Sequence, residues 1–231
     1  GPLSELELVA EIRGLAERND DVAHMPCFLG AGAYHHFIPS VVGHVVSRSE
    51  FYTAYTPYQP ELSQGTLQAM FEYQTMVCAL TAMPVANASH YDGATAVAEA
   101  VLMAVGAGRG RRPKVLVAPT VHPEYRAVAR TYTSGMEVTL TGDEDPSLTW
   151  QDLLPMVDDQ TACLVVQTPD FMGRILDLRE AADAVHAQQA LLVVVVDPIS
   201  LGLLQPPGAY GADIALGEGQ SLGNPLSFGG P

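Results

Sequence analysis

The chain has 231 residues, 48% of them hydrophobic, and a mean hydropathy of +0.14, enough apolar material for one large domain or two small ones. Its 26 acidic and 11 basic residues give a formal charge of -15, which excludes a general electrostatic footprint for nucleic acid or an anionic membrane surface. The longest uncharged apolar run, around 190–196, is too short to span a bilayer, and no charged-then-apolar leader opens the sequence, so the cytoplasm is the default expectation. Cys27, Cys78 and Cys163 are odd in number and scattered. Without a CxxC pair they predict reduced thiols in or near the core, not a disulfide frame or a zinc site.

Gly1-Pro2 reads equally as a cleavage scar or as natural sequence. Leu6, Val9, Ile12 and Leu15 recur at helical spacing and predict one amphipathic helix. A Gly-rich turn region over 24–36 follows, then a helix from about Pro39 through Val46. The stretch Phe51 to Gly65 has neither apolar period and reads as a loop, kept stiff by Pro57 and Pro60. It carries Tyr52, Tyr55, Tyr58, Gln59, Glu61 and Gln64. Two readings stand: a surface built to meet something, or a rigid connection packed beneath a neighbouring domain.

A long helix is predicted over 63–81, a short strand at Val85-Ala86, and a small-residue helix over 94–104. Strand and helix then take turns: strands at 114–118, 137–140, 162–167, 191–196 and 213–216, with helices at 122–132, 148–156 and 178–188 between them. That alternation predicts an α/β domain with a largely parallel sheet covered on both faces and a ligand site at the carboxyl ends of the strands. The polar residues there are Thr120 and His122, then Gln167, Thr168 and Asp170, then Asp197. Asp197 follows a buried strand and either faces a cation or caps a turn before Pro198. Ser89 to Thr95 leads into a helix N-terminus able to take a phosphate, with a plain N-cap through Asp92 as the other reading.

Other signals exclude more than they suggest. Gly106 to Gly110 has dinucleotide-like spacing but follows a helix and precedes a strand, so it reads as a turn. The histidines have no partners at ligand spacing, which argues against a metal centre, and no G-x-S-x-G elbow is present.

Five blocks carry a resemblance. They are Phe51 to Gly65; Ala86 to Ser89 with Tyr91 to Ala96; Val121-His122-Pro123-Glu124-Tyr125-Arg126; Pro206 to Ile214; and Gly219-Gln220-Ser221-Leu222-Gly223. Ungapped and in order, they resemble the glycine decarboxylase P-protein family of the glycine cleavage system, in particular subunit 1 of its two-subunit form. The resemblance implies a fold-type-I, pyridoxal-phosphate-dependent transferase-like large domain over 51–231, preceded by a helical segment over 1–50. It implies that the family's small C-terminal domain is missing, the chain being either a fragment or a naturally short relative.

The resemblance also bears on the cofactor. Catalytic relatives hold pyridoxal phosphate on a lysine, and counting from Asp213 brings that position to about Ser221, which cannot link to it. The only lysine, Lys114, lies at the entry of a strand and reads as a solvated flank. His122 and Asp197 fall where such enzymes stack on the cofactor ring and pair with its nitrogen; here they read as remnants or as residues kept for structure, and Ser89 and Thr95 are grouped with them as a vestigial cofactor site. The implied function is that of the subunit without the Schiff base, with the cofactor on its partner, subunit 2. The complex would decarboxylate glycine and pass the aminomethyl group to lipoyl H-protein, with Tyr55, Tyr58, Gln59 and Glu61 facing a shared cleft. The alternative is a catalytically inactive structural or regulatory pseudoenzyme that binds a partner.

Overall fold

The computed structural model describes residues 1–22, 24–28, 30 and 34–225. The chain divides into two compact units, residues 1–35 and 36–231. In the first, helix α1 (Glu5–Ala16) starts at Ser4, whose hydroxyl accepts from the Glu7 N–H while the Glu7 carboxylate accepts from Ser4. The predicted stripe is present, but no residue of α1 is buried. The expected turn region over 24–36 lies partly outside the described residues. Cys27 is exposed, which corrects the expectation of a core thiol: no described residue of this unit is buried, so the unit offers no interior to enter. Cys78 is half-buried and Cys163 fully buried; burial pushes the Cys163 thiol up to about 12 and keeps it neutral.

The second unit opens with helices α2 (Ser40–Val46), α3 (Ser49–Tyr52), α4 (Gln64–Thr81) and α5 (Gly93–Ala107). Phe51 and Tyr52 belong to α3, and Gln64 and Gly65 to α4, so the stiff connection is shorter than expected. Val85-Ala86 is not a strand. Ala82 ends α4 at φ +55, and Gln74 Nε2 donates to the Ala86 carbonyl at 2.6 Å, supplying by a side chain what a ladder would otherwise give.

From there the alternation holds: β1 (Lys114–Val117), α6 (Pro123–Thr133), β2 (Thr139–Thr141), α7 (Trp150–Leu153, continued by a 3₁₀ turn over Leu154–Met156), β3 (Thr161–Thr168), α8 (Arg179–Ala187), β4 (Leu191–Val196) and β5 (Ile214–Gly217). They form a five-stranded sheet in the order β2-β1-β3-β4-β5, every pair parallel. In β4, Leu192 through Val196 are buried without alternation, as are Thr161 through Val166 in β3. Continuous burial means that both faces are covered. The β-branched valines suit the pleat, and each buried Val or Leu contributes roughly 1.5–3 kcal/mol. Helix α5 packs against α6 and against β3, β4 and β5, and its buried Gly93, Ala96, Ala98, Ala100 and Ala104 allow that close approach. Lys114 is no solvated flank: its ammonium donates to the Met156 carbonyl and to Asp158 Oδ2 at 2.8 Å, at the amino end of β1. Among the described residues no helix is long and apolar enough to cross a membrane.

The Pro206-Pro207-Gly208 turn gives a sharp packing constraint. A Cβ on Gly208 would lie 2.0 Å from the Ala82 carbonyl oxygen, where α4 ends. Gly208→Ala must therefore push backbone from backbone, and it is expected to cost about 2 kcal/mol or more of stability. Urea unfolding checks this; a loss below about 0.5 kcal/mol would show that the turn and the end of α4 separate freely.

Candidate functional site

Parallel pairing puts the carboxyl ends of all five strands along one edge, where α/β sheets hold ligands. After β1 the chain turns through Thr120 to His122, the N-cap of α6. The His122 N–H donates to Gln167 Oε1 of β3 at 2.9 Å, and its Nδ1 accepts from the Glu124 N–H at 3.2 Å. The buried imidazole is stacked on Tyr125, with centroids 4.6 Å apart and planes at 23°, and meets the edge of Phe171 at 4.9 Å.

Helix α6 is held by a buried carboxylate. Asp143, just beyond β2, accepts from Arg126 Nη1 at 2.7 Å and from both terminal nitrogens of Arg130. Arg126 Nε also donates to the Val121 carbonyl at 3.0 Å, tying the helix to its own entry turn. Burial pushes the Asp143 carboxyl up, but hydrogen bonds from Arg130 and Arg126 outweigh it and hold the group below the usual aspartate range.

Other polar residues of the edge serve the backbone. Asp170 Oδ1 accepts from the N–H groups of Met172 and Arg174, and Oδ2 from Arg174 Nε, all at 2.9 Å. Thr168 Oγ1 accepts from the Leu176 N–H. Asp197 Oδ1 accepts from the Ile199 N–H at 3.0 Å, and its carbonyl from Ser200, so it caps the turn.

At the start of α5, Asp92 Oδ1 accepts from the Thr95 N–H at 2.7 Å and from Thr95 Oγ1 at 2.8 Å, a capping box that engages both side chains. Ser89 is exposed and donates to the His90 carbonyl. The next N–H of the helix, Gly93, donates to Glu218 Oε2 at 2.6 Å, and Tyr125 Oη meets the same oxygen at 3.2 Å. His122 and the helix start are thus joined through Tyr125 and Glu218. Beside Glu218 lies a mainly apolar cavity of about 330 Å³, walled by α4 (Tyr73, Val77), α5 (Ala96, Met103) and Leu216 of β5. Ser221 is buried in the turn after β5, and its hydroxyl has no hydrogen-bond partner among the described residues.

The tyrosine loop stands apart from this cluster in character. Tyr55 and Tyr58 are 81% and 79% exposed, with rings 6.3 Å apart, and Gln59 and Glu61 are exposed beside them. Gln167 lies where the strand ends predicted polar groups, whereas Tyr125 and Glu218 were not singled out as site partners by the sequence. A signal for Glu218 existed: like Asp197 it is an acid directly after a strand.

The fold is that of fold-type-I pyridoxal-phosphate-dependent enzymes. A sphingosine-1-phosphate lyase structure from Burkholderia pseudomallei superposes with a TM-score of 0.59 over 84% of this chain and 47% of that one, at 17% identity. Much nearer is a crystal structure of inhibitor-bound glycine decarboxylase (P-protein) of the glycine cleavage system. It gives a TM-score of 0.89 at 51% identity, over 100% of this chain and 52% of that one. Curated relatives named probable glycine dehydrogenase (decarboxylating) subunit 1 are 57% identical in Desulforamulus reducens and 54% in Carboxydothermus hydrogenoformans, over 100% and 99% of this chain. The profile of the glycine cleavage system P-protein matches residues 1–231. The chain belongs to the glycine cleavage system P-protein family. It spans about half the length of the curated relatives it matches, 52% in each of these two.

Pyridoxal phosphate on this fold asks for an amine, an anion seat, an open ring face and a carboxylate for the ring nitrogen. No amine stands at Ser221, the α5 start is met by a carboxylate, one face of His122 is covered by Tyr125, and one oxygen of Asp197 is taken by a turn cap. The residues present at this edge do not fit the cofactor.

Asp143→Asn tests the anchor of α6. The depressed carboxyl contributes stability that is full above the unfolded value near 4 and is lost as pH falls through the lower folded value. The variant is expected to lose about 3 kcal/mol at neutral pH and to show a shallower acid limb, measured by urea unfolding from pH 7 to 3. Unchanged stability at pH 7 would show that the two arginines do not hold α6.

Proposed function

We propose that this chain is the subunit of glycine dehydrogenase (decarboxylating) that does not carry the Schiff base, and that it completes the active site of a partner, subunit 2, which holds pyridoxal phosphate. The complex decarboxylates glycine and hands the aminomethyl group to the lipoyl arm of H-protein. The observation that carries this reading is the buried hydroxyl of Ser221, without a hydrogen-bond partner among the described residues, at the position that the family resemblance assigns to the lysine, in a chain whose only lysine is tied at the opposite end of the sheet. The relatives' naming as subunit 1 supports it from another side. Bound to the partner, the cofactor would supply the electron sink that decarboxylation of an amino acid needs.

This chain contributes surface and fixed polar groups. Tyr55, Tyr58, Gln59 and Glu61 stand exposed on a loop braced by Pro57 and Pro60, and they border the shared cleft. The phenols and amide offer donors, and the Glu61 carboxylate an acceptor, with which to orient the substrate and exclude water. His122, Asp197, Ser89 and Thr95 serve the fold: a stacked N-cap, a turn cap, a loop hydroxyl and one half of a capping box.

Complementation tests the placement. With the partner subunit and H-protein present, Tyr58→Phe and Glu61→Gln are expected to lower glycine-dependent carbon dioxide exchange by about tenfold or more while the subunits still co-elute on gel filtration. Full activity in both variants refutes the loop assignment. Borohydride reduction of the wild-type complex, followed by mass spectrometry, is expected to fix the cofactor to the partner alone. A complex that assembles without any exchange activity would favour the pseudoenzyme instead.

A further inference from the structure

The start of α5 is a natural anion seat, where unpaired backbone N–H groups and the positive end of the helix dipole point outward. Here an anion from the chain itself reaches it. Glu218 leaves β5, travels from 125 positions away in sequence, and takes the Gly93 N–H at 2.6 Å on Oε2. Tyr125 of α6 adds its hydroxyl to the same oxygen at 3.2 Å. Three elements distant in sequence converge on one carboxylate oxygen. The fit is close enough to dictate the residue beneath it: a Cβ on Gly93 would lie 2.5 Å from Tyr125 Oη and 2.6 Å from Glu218 Oε2. Only glycine lets carboxylate and phenol approach this backbone together.

Asp92 and Thr95 close the rest of the turn, each bonded to the other through the capping box. A phosphate arriving at the seat would compete with a short, charge-assisted hydrogen bond and would face a fixed negative charge on the group it had to displace. A plain N-cap does not need a second carboxylate on the neighbouring N–H, since the Asp92 box already caps the helix. The second acid therefore has another consequence, which is to fill the place of a ligand.

We propose that Glu218 is a built-in anion that closes the phosphate seat at the start of α5, so that this chain takes up neither pyridoxal phosphate nor inorganic phosphate there. The proposal concerns this chain's own residues and stands apart from the activity of the assembled enzyme. A protein that bound phosphate at Gly93 yet supported full exchange activity would overturn it and leave the proposed function intact.

The test uses the full-length protein and inorganic phosphate as the probe, followed by isothermal titration calorimetry. Glu218→Ser, which shortens the side chain and frees the Gly93 N–H, is expected to bind phosphate about tenfold or more tightly than wild type, with the gain lost at high salt. Glu218→Gln keeps the shape and the hydrogen bond, guards against a failure of the shorter variant to fold, and is expected to gain about threefold from loss of the charge alone. A crystal of the Glu218→Ser variant soaked in phosphate should place the ion within hydrogen-bond distance of the Gly93 nitrogen. Wild type binding phosphate as tightly as the folded variants, or an ion seated elsewhere, overturns the proposal.

Discussion

The molecule depends on the parallel pairing of β3 and β4 in a region where both faces of the sheet are covered. Cys163 through Thr168 pair in register with Leu191 through Val196, and nearly every side chain along both is buried. A strand buried on both sides must satisfy its backbone within the sheet and can present polar groups only where it ends. Because the strands run one way, those ends share an edge. His122, Gln167, Asp197 and Glu218 are neighbours of the same edge for that reason, although up to 96 positions separate them in sequence.

Two carboxylates then fasten the helices over that edge, and both come from turns that follow a strand. Asp143 grips α6 through two arginines, and Glu218 joins the start of α5 to Tyr125 on α6. The stacked His122 and Tyr125 lie between these fasteners. Around Glu218 and His122 the polar groups form a set of short contacts beside an apolar cavity.

The sheet was legible in the sequence because its signal is local. Runs such as Leu191 to Val196 and their spacing by helical stretches need no tertiary information to read, and all five strands lie within about two residues of where the pattern put them. Val85-Ala86 failed because two apolar residues carry no period, and a distant amide, Gln74, decided the backbone's partner. Cys27 failed because burial of a thiol is a property of what packs on it, and the first unit offers nothing that does. At the site, that position 221 holds a serine needs only the sequence. The occupant of the helix start needs more: the partner of Gly93 lies 125 positions downstream, a pairing that only the fold creates. The same rule that marked Asp197 applied to Glu218, and the structure gives opposite outcomes, one acid turned onto its own turn and the other onto a neighbouring helix.

The carboxylate over Gly93 also bears on how such a chain could change through evolution. A lysine placed at position 221 would leave the Gly93 N–H taken by Glu218, while removing Glu218 alone would free that N–H without supplying an amine. Neither step is useful without the other, and Gly93, fitted to the carboxylate and the phenol, adds a third position that moves with them. Gly93, Tyr125 and Glu218 are therefore constrained as a set, since a substitution at one leaves the other two fitted to a contact that is gone.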